Sequence, residues 1–141
     1  MQSLIQAMVS TILNAGQVSS LLAQNQVYMG EAPETALMPF LTLGAEPGGP
    51  TRHDFSKDRL TQTTVVLTAV GPSLPVLLEI ADQLGALLDA ASFPLATGVL
   101  LGVWQAQPPE PTLAGFDAAN DEVYRVKTRF RCEVFETAQR A

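Results

Sequence analysis

The sequence predicts an α+β fold, in which two main helices pack on one face of a largely antiparallel sheet of about four strands. Two segments carry apolar residues at helical spacing, and four others are β-branched or alternate between apolar and polar residues. They follow one another as helix, strand, strand, helix, strand, strand, an order typical of this class. With 141 residues, 47% of them hydrophobic, the chain can bury one core, so we expect residues 1–141 to form a single domain.

The N-terminal segment predicts an amphipathic helix over residues 2–15. Gly16 offers a natural stop, and the apolar residues recur at helical spacing: Leu4, Ile5, Met8, Val9, Ile12 and Leu13. A signal peptide would need a positively charged start, which is missing here. No apolar run approaches the roughly 20 residues that cross a bilayer, and the single cysteine, Cys132, excludes an internal disulfide. We expect a soluble protein that folds in a reducing compartment and contacts no membrane.

Two strands, a loop and a third strand should follow this helix. Val27–Tyr28 is a weak strand candidate, and Met38–Ala45 is a stronger one, opened by a proline. Glu46–Asp58 combines prolines, glycines and mixed charge without an apolar period, which predicts a long exposed loop. Leu60–Val70 is almost entirely β-branched or apolar and predicts a strand.

The central helix is the most strongly predicted element. Ser73 can act as its N-cap, and Pro75 falls in the first turn, where the amide donors need no helical partner. The predicted apolar face consists of Leu74, Leu77, Leu78, Ala81, Leu84 and Leu88. The predicted solvent side consists of Glu79, Asp82, Gln83 and Asp89.

The C-terminal third predicts two strands around a second loop. Thr97–Gln107 is the first strand, and Glu122–Phe135 is the last. Between them, the prolines and the Asn-Asp pair of Pro108–Asp121 predict a long segment without regular structure.

We find no enzyme signature, and we predict no catalytic residue, no cofactor and no metal. His53 is the only histidine and stands beside Asp54 in the first loop, where a solvated pair is the simpler interpretation. One histidine and one cysteine cannot build a familiar zinc site without distant carboxylates. Cys132 lies on the apolar side of the last strand, as a small buried residue would. A small cytoplasmic enzyme or ligand-binding domain that uses His53, Asp54 and an apolar pocket remains the alternative.

Charge is distributed unevenly along the chain. A sequence pI near 4.6, with 14 acidic and 8 basic residues, argues against a general nucleic-acid binder. Four of the 8 basic residues nevertheless alternate along the last strand, on the side opposite the core residues: Arg125, Lys127, Arg129 and Arg131, here called the basic stripe. The stripe could be a solvated sheet surface, meet acidic groups of a neighbouring copy or partner, or face DNA in a lumen. We expect contacts between protein surfaces mainly, with DNA secondary.

The layout as a whole resembles the tail-terminator or tail-completion (head-tail joining) proteins of long-tailed, siphovirus-type phages. The resemblance lies in the order and spacing of an N-terminal amphipathic helix, "VYMGEAPETALMPFLTLG", "TQTTVVLTAVGPSLPVLLEIADQLGALLD" and the closing strand "VYRVKTRFRCEVF". It covers most of the chain, and the central helix ending in "LGALLD" is its most telling part.

The resemblance implies a structural virion protein without catalytic activity. Such a protein would form a homo-oligomeric ring, typically a hexamer, on the head-proximal end of the tail tube. It would stop tube polymerisation and join the tail to the neck. The alternative role within such a particle is that of another head-tail connector or a tail-tube component. The implied partners are the tail-tube protein and a neck or head-completion protein, with DNA in the ring lumen as a further candidate. The candidate contact residues are the basic stripe together with Arg52, His53 and Asp54 of the first loop.

Overall fold

The structure is a computed structural model that describes residues 2–46, 51–53, 59–96, 98–117 and 119–136. Its helices are α1 (Gln2–Asn14), α2 (Gly16–Ser19) and α3 (Leu74–Leu88), with a 3-10 turn at Ala23–Asn25. Its strands are β1 (Val27–Met29), β2 (Phe40–Glu46), β3 (Thr51–His53), β4 (Arg59–Gly71), β5 (Val99–Gln105), β6 (Glu110–Phe116) and β7 (Glu122–Glu136). The α+β class is confirmed, but the described residues form seven strands in place of the four predicted.

Two long antiparallel strands, β4 and β7, form the centre of the sheet. The strand order is β1-β2-β4-β7-β5, with β3 also on β4 and β6 also on β7. Every pairing is antiparallel except that of β1 with β2, which confirms a largely antiparallel sheet. β2 and β3 follow each other along one edge of β4, and β5 and β6 do the same along the free edge of β7.

Both segments predicted as irregular loops contain a strand, so that part of the prediction is wrong. β3 lies within the predicted loop 46–58, and β6 lies within the predicted loop 108–121. β3 pairs with β4, and β6 pairs with β7. Each of these central strands is much longer than the other strand that pairs with it on the same edge, so backbone N–H and C=O groups remain available there. Proline is also tolerated on an edge strand, where its missing donor can face solvent, and Pro111 lies on such a strand.

The helices confirm the prediction that they cover one face. α1 packs on β1 and β2, whereas α3 packs on β4, β5 and β7. Their buried residues form one cluster with the inward side chains of the sheet, which includes Phe130, Leu67 and Leu84. Within the described chain, no helix is long and apolar enough to span a bilayer.

Helix boundaries and faces differ in detail from the prediction. Gly16 begins α2 and does not end the chain's first helical region, because the break falls at the extended residue Ala15. Ser73 occupies the N-cap position of α3 without a side-chain capping bond. The buried residues of α3 are Leu77, Ile80, Ala81, Leu84 and Leu88, so the predicted apolar face lacked Ile80. Leu78, which was predicted on that face, is 40% exposed.

Candidate interaction surface on the open face of the sheet

One face of the sheet carries no described helix, and we call it the open face. Side chains directly opposite one another on neighbouring strands share a face, so the register defines rows across it. One row joins Gly44, Val66 and Arg129, and the next joins Glu46, Thr64, Arg131 and Trp104. The open face is therefore polar and charged along β7. Residues of β2 and β5 lie on either side of this charged strip.

The basic stripe lies on this face, as the alternation of β7 predicts. The three residues between its members, Val126, Thr128 and Phe130, are buried, and so is Cys132, which follows the last member. Arg125 and Arg131 are exposed, whereas Lys127 and Arg129 are half-buried among their neighbours. The stripe is thus a surface feature backed directly by the core.

Arg129 is held by acidic residues of its own chain. Its Nε lies 3.0 Å from Oε1 of Glu46, and its Nη1 lies 3.1 Å from Oε1 of Glu110. Nη1 also donates to Oε1 of Gln107 at 3.4 Å. The carboxylates of Glu46 and Glu110 raise the pKa of the Arg129 guanidinium above its usual value.

The Arg129 side chain reaches Glu46 across an intervening strand. β4 lies between β7 and β2, and the residue of β2 in the same row as Arg129 is Gly44. A Cβ added at Gly44 would meet nothing within 4 Å, so the surface of β2 is uncovered at this point. Sequence reasoning missed this contact, since Glu46 is 83 residues away from Arg129 and Glu110 was assigned to a loop.

The other three members of the stripe make no ion pair among the described residues. Arg125, Lys127 and Arg131 therefore present uncompensated positive charge on the open face. The nearby Glu133 is engaged by Gln62, whose Nε2 donates to Oε1 of Glu133 at 2.6 Å. Acidic groups from outside the described chain could relieve the repulsion between these cations.

An open groove lies beside Arg131, with a volume of about 320 Å³. Its lining residues are Gln62, Trp104, Gln105, Ala106, Arg131 and Glu133. Trp104 is 45% exposed, and its ring lies over Gly102, where a Cβ would come within 2.5 Å of the ring. The groove thus combines an exposed aromatic ring with a guanidinium that has no described partner. Sequence reasoning did not single out Trp104, because only the register of β5 on β7 places it opposite Arg131.

The contact residues predicted in the first loop do not form a described cluster with the basic stripe. Arg52 and His53 belong to β3, where their backbones pair with Leu60 and Arg59. By register, the backbone of Arg52 falls in the row of Leu60 and Phe135, beyond the last member of the stripe. Asp54 lies outside the described residues.

Two reactive side chains, Cys132 and Tyr124, have raised pKa values. Cys132 is fully buried, as predicted, and desolvation raises the pKa of its thiol to about 12. Tyr124 donates from its hydroxyl to Glu122, and this hydrogen bond raises the pKa of the phenol. Within the described ranges, no group of three or more histidine, cysteine, aspartate or glutamate side chains is placed to hold a metal ion.

Comparison with solved structures identifies a close fold relative. The chain is similar to one in the virion of a native gene transfer agent (GTA) particle, with a TM-score of 0.78 and 17% sequence identity. The match covers 95% of this chain and 96% of that one. No protein-family model matches the sequence, and no curated protein matches it. The likeness shows that the two chains share a fold over nearly their whole lengths.

Proposed function

We propose that this chain is a structural protein of a phage or phage-like virion and acts as its tail terminator. Copies form a hexameric ring that caps the head-proximal end of the tail tube, stops tube polymerisation and joins the tail to the neck. The observation that carries the proposal is the shared fold, over 95% of the chain, with a protein of a GTA virion. Among virion proteins, the resemblance of the element order to tail terminators favours this role.

The open face supplies what such a role requires. A terminator works through contacts with copies of itself, with the tail-tube protein and with a neck or head-completion protein, and it needs no catalytic group. Arg125, Lys127 and Arg131 have no ion-pair partner within the described chain, so they are available for acidic groups on these partners. In this role the protein lies at the head-proximal end of the tail, in a particle that assembles in the host cytoplasm.

Deletion of the gene in the strain that produces the particles tests the role directly. We expect tail tubes of uncontrolled length and heads without tails in electron micrographs, and a plasmid copy should restore normal particles. If the deletion abolishes tubes altogether, the protein is a tube component. If tubes keep their normal length but stay unattached, it is a different head-tail connector. Normal particles without the gene would refute any virion role.

The open face can be tested separately with Arg125→Glu combined with Lys127→Glu. Arg129 is left intact, because its bonds to Glu46 and Glu110 belong to the fold of the subunit. We expect a folded protein, judged by circular dichroism, that assembles more weakly into rings or onto tubes. The matched control is Glu79→Lys with Asp82→Lys, which changes charge to the same extent on exposed positions of α3. If the open-face variant assembles normally and its particles fail only to retain DNA, the face lines the lumen.

A further inference from the structure

The β5 edge of the sheet exposes a row of large apolar side chains. β5 pairs with β7 on one side and with no described strand on the other. Its exposed residues are Val99, Leu101 and Trp104, which are 58%, 54% and 45% accessible. An uncovered edge with such side chains is prone to uncontrolled association, so soluble proteins usually protect it or use it as an interface. Arg131 lies in the same row as Trp104 and adds a positive charge without a described partner.

The opposite edge of the sheet has a complementary character. It consists of β1 and of segment 30–38, which follows β1. We call segment 30–38 the acidic loop. Glu31 and Glu34 are exposed and make no ion pair among the described residues. Met29 and Leu37 beside them are 50% and 47% accessible. The first 51 residues contain no lysine or arginine, so no basic residue of this region weakens the negative charge.

Hydrogen bonds tie the C-terminal part of the acidic loop to Gln26 and to itself. Oε1 of Gln26 accepts from the backbone N–H of Leu37 at 3.0 Å and from the hydroxyl of Tyr28 at 2.5 Å. Within the loop, the N–H of Ala36 donates to the carbonyl of Pro33 at 3.0 Å. A loop that is already ordered loses less conformational entropy on binding than a free one.

We propose that the acidic loop of one copy docks against the β5 edge of the next copy. Glu31 and Glu34 would face Arg131, while Met29 and Leu37 cover the apolar residues of β5. This inference rests on the proposed ring, and it names the two surfaces that close it. The two patches lie on opposite edges of the sheet, so each copy can use both at once, as a heterologous ring contact requires.

The acidic side of α3 is a less suitable partner for the β5 edge. Asp89 already accepts from the backbone N–H of Gln105 at 2.9 Å, and Glu79 accepts from Gln83 at 3.0 Å. α3 also belongs to the helical layer on the other face of the sheet. Contacts through α3 would stack copies face to back and leave Val99 and Leu101 uncovered.

Crosslinking in purified particles tests the proposed pairing. Glu34→Cys and Ala106→Cys, combined in one chain, place one thiol on the acidic loop and one beside Trp104 in the groove. The native Cys132 is buried and should not react. We expect a short bis-maleimide to give a ladder of covalent oligomers. The control chain carries Glu79→Cys with Ala106→Cys and should remain mostly monomeric.

The outcomes of crosslinking separate this inference from the proposed function. A ladder only with the Glu79→Cys control would refute the pairing but keep the ring. A particle that contains a single copy of the chain would refute both.

Charge exchange provides a second test that does not depend on cysteines. Arg131→Glu alone should weaken ring assembly by about tenfold or more, because two carboxylates would then face a third. Adding Glu31→Arg and Glu34→Arg in the same chain should restore assembly, measured by sedimentation velocity or by the yield of intact tails. Adding Glu79→Arg and Asp82→Arg should not. If the first combination assembles no better than Arg131→Glu alone, or the second restores assembly, the proposed pairing is wrong.

Discussion

Replacing Phe130 with alanine should destabilise the protein strongly, whereas replacing the adjacent Arg131 should not. Phe130 is 0% exposed on the core face of β7, and Arg131 is exposed on the open face. Burying an aromatic side chain removes about 150–250 Å² from water, which at about 25 cal/mol/Å² corresponds to about 4–6 kcal/mol. Because alanine keeps part of that burial, we expect Phe130→Ala to lower the free energy of unfolding by about 3–5 kcal/mol.

Arg131→Ala is the matched comparison one residue away. Arg131 makes no ion pair among the described residues, so its removal should change the free energy of unfolding by no more than about 0.5 kcal/mol. Urea unfolding followed by far-ultraviolet circular dichroism measures both. With a slope of about 2 kcal/mol/M, the midpoint should fall by about 2 M for Phe130→Ala and by less than about 0.3 M for Arg131→Ala. Similar shifts for the two variants would mean that β7 does not separate the core from the open face.

Three further predictions concern single residues. Because burial raises the pKa of Cys132 to about 12, its thiol should resist alkylation at pH 8 until the protein unfolds. The unfolded thiol ionises near pH 8.5, so the contribution of the protonated thiol to the free energy of unfolding should be complete below that pH. It should be lost as the pH rises towards 12. A Cys132→Ala variant should lack this pH dependence and is the control. Gly102→Ala should push the ring of Trp104 aside by about 1 Å, since the new Cβ would otherwise lie 2.5 Å from it. Trp104 is the only tryptophan, so its emission should shift to the red; an unchanged spectrum would contradict the packing of the ring on Gly102. His53→Ala should leave the urea midpoint and ring assembly unchanged, and lost assembly of a folded variant would favour a site at His53.

The elements that sequence patterns predicted well are those whose patterns are local. In α3 and β7 the apolar residues recur with the period of the element, and β4 is almost entirely β-branched or apolar. The structure places β4 and β7 close to their predicted bounds, and α3 spans its predicted apolar face. The alternation of β7 also divided its side chains correctly into a buried set and the basic stripe. Leu78 was placed wrongly because it borders the apolar face of α3, where spacing alone does not decide burial.

The strands that were missed depend on their partners for their structure. β6 contains Pro111 and Gly115 and has no strong β pattern of its own, yet six of its seven residues pair with β7. The long strand beside it offers backbone donors and acceptors, and this pairing outweighs the weak local preference. β3 forms beside β4 in the same way. The residues of either segment, taken alone, do not show that it pairs with a long neighbouring strand.

By itself, the sequence determined the class of fold, the core face of β7 and the presence of four basic residues on its other side. Only the tertiary structure decided which charges remain free. Arg129 contacts Glu46 because the pairing of β2, β4 and β7 brings the two residues together, and it contacts Glu110 because β6 pairs with β7. Periodicity fixes the direction of a side chain relative to its own strand, whereas its neighbours depend on which strands pair and in what register, a property of the whole sheet.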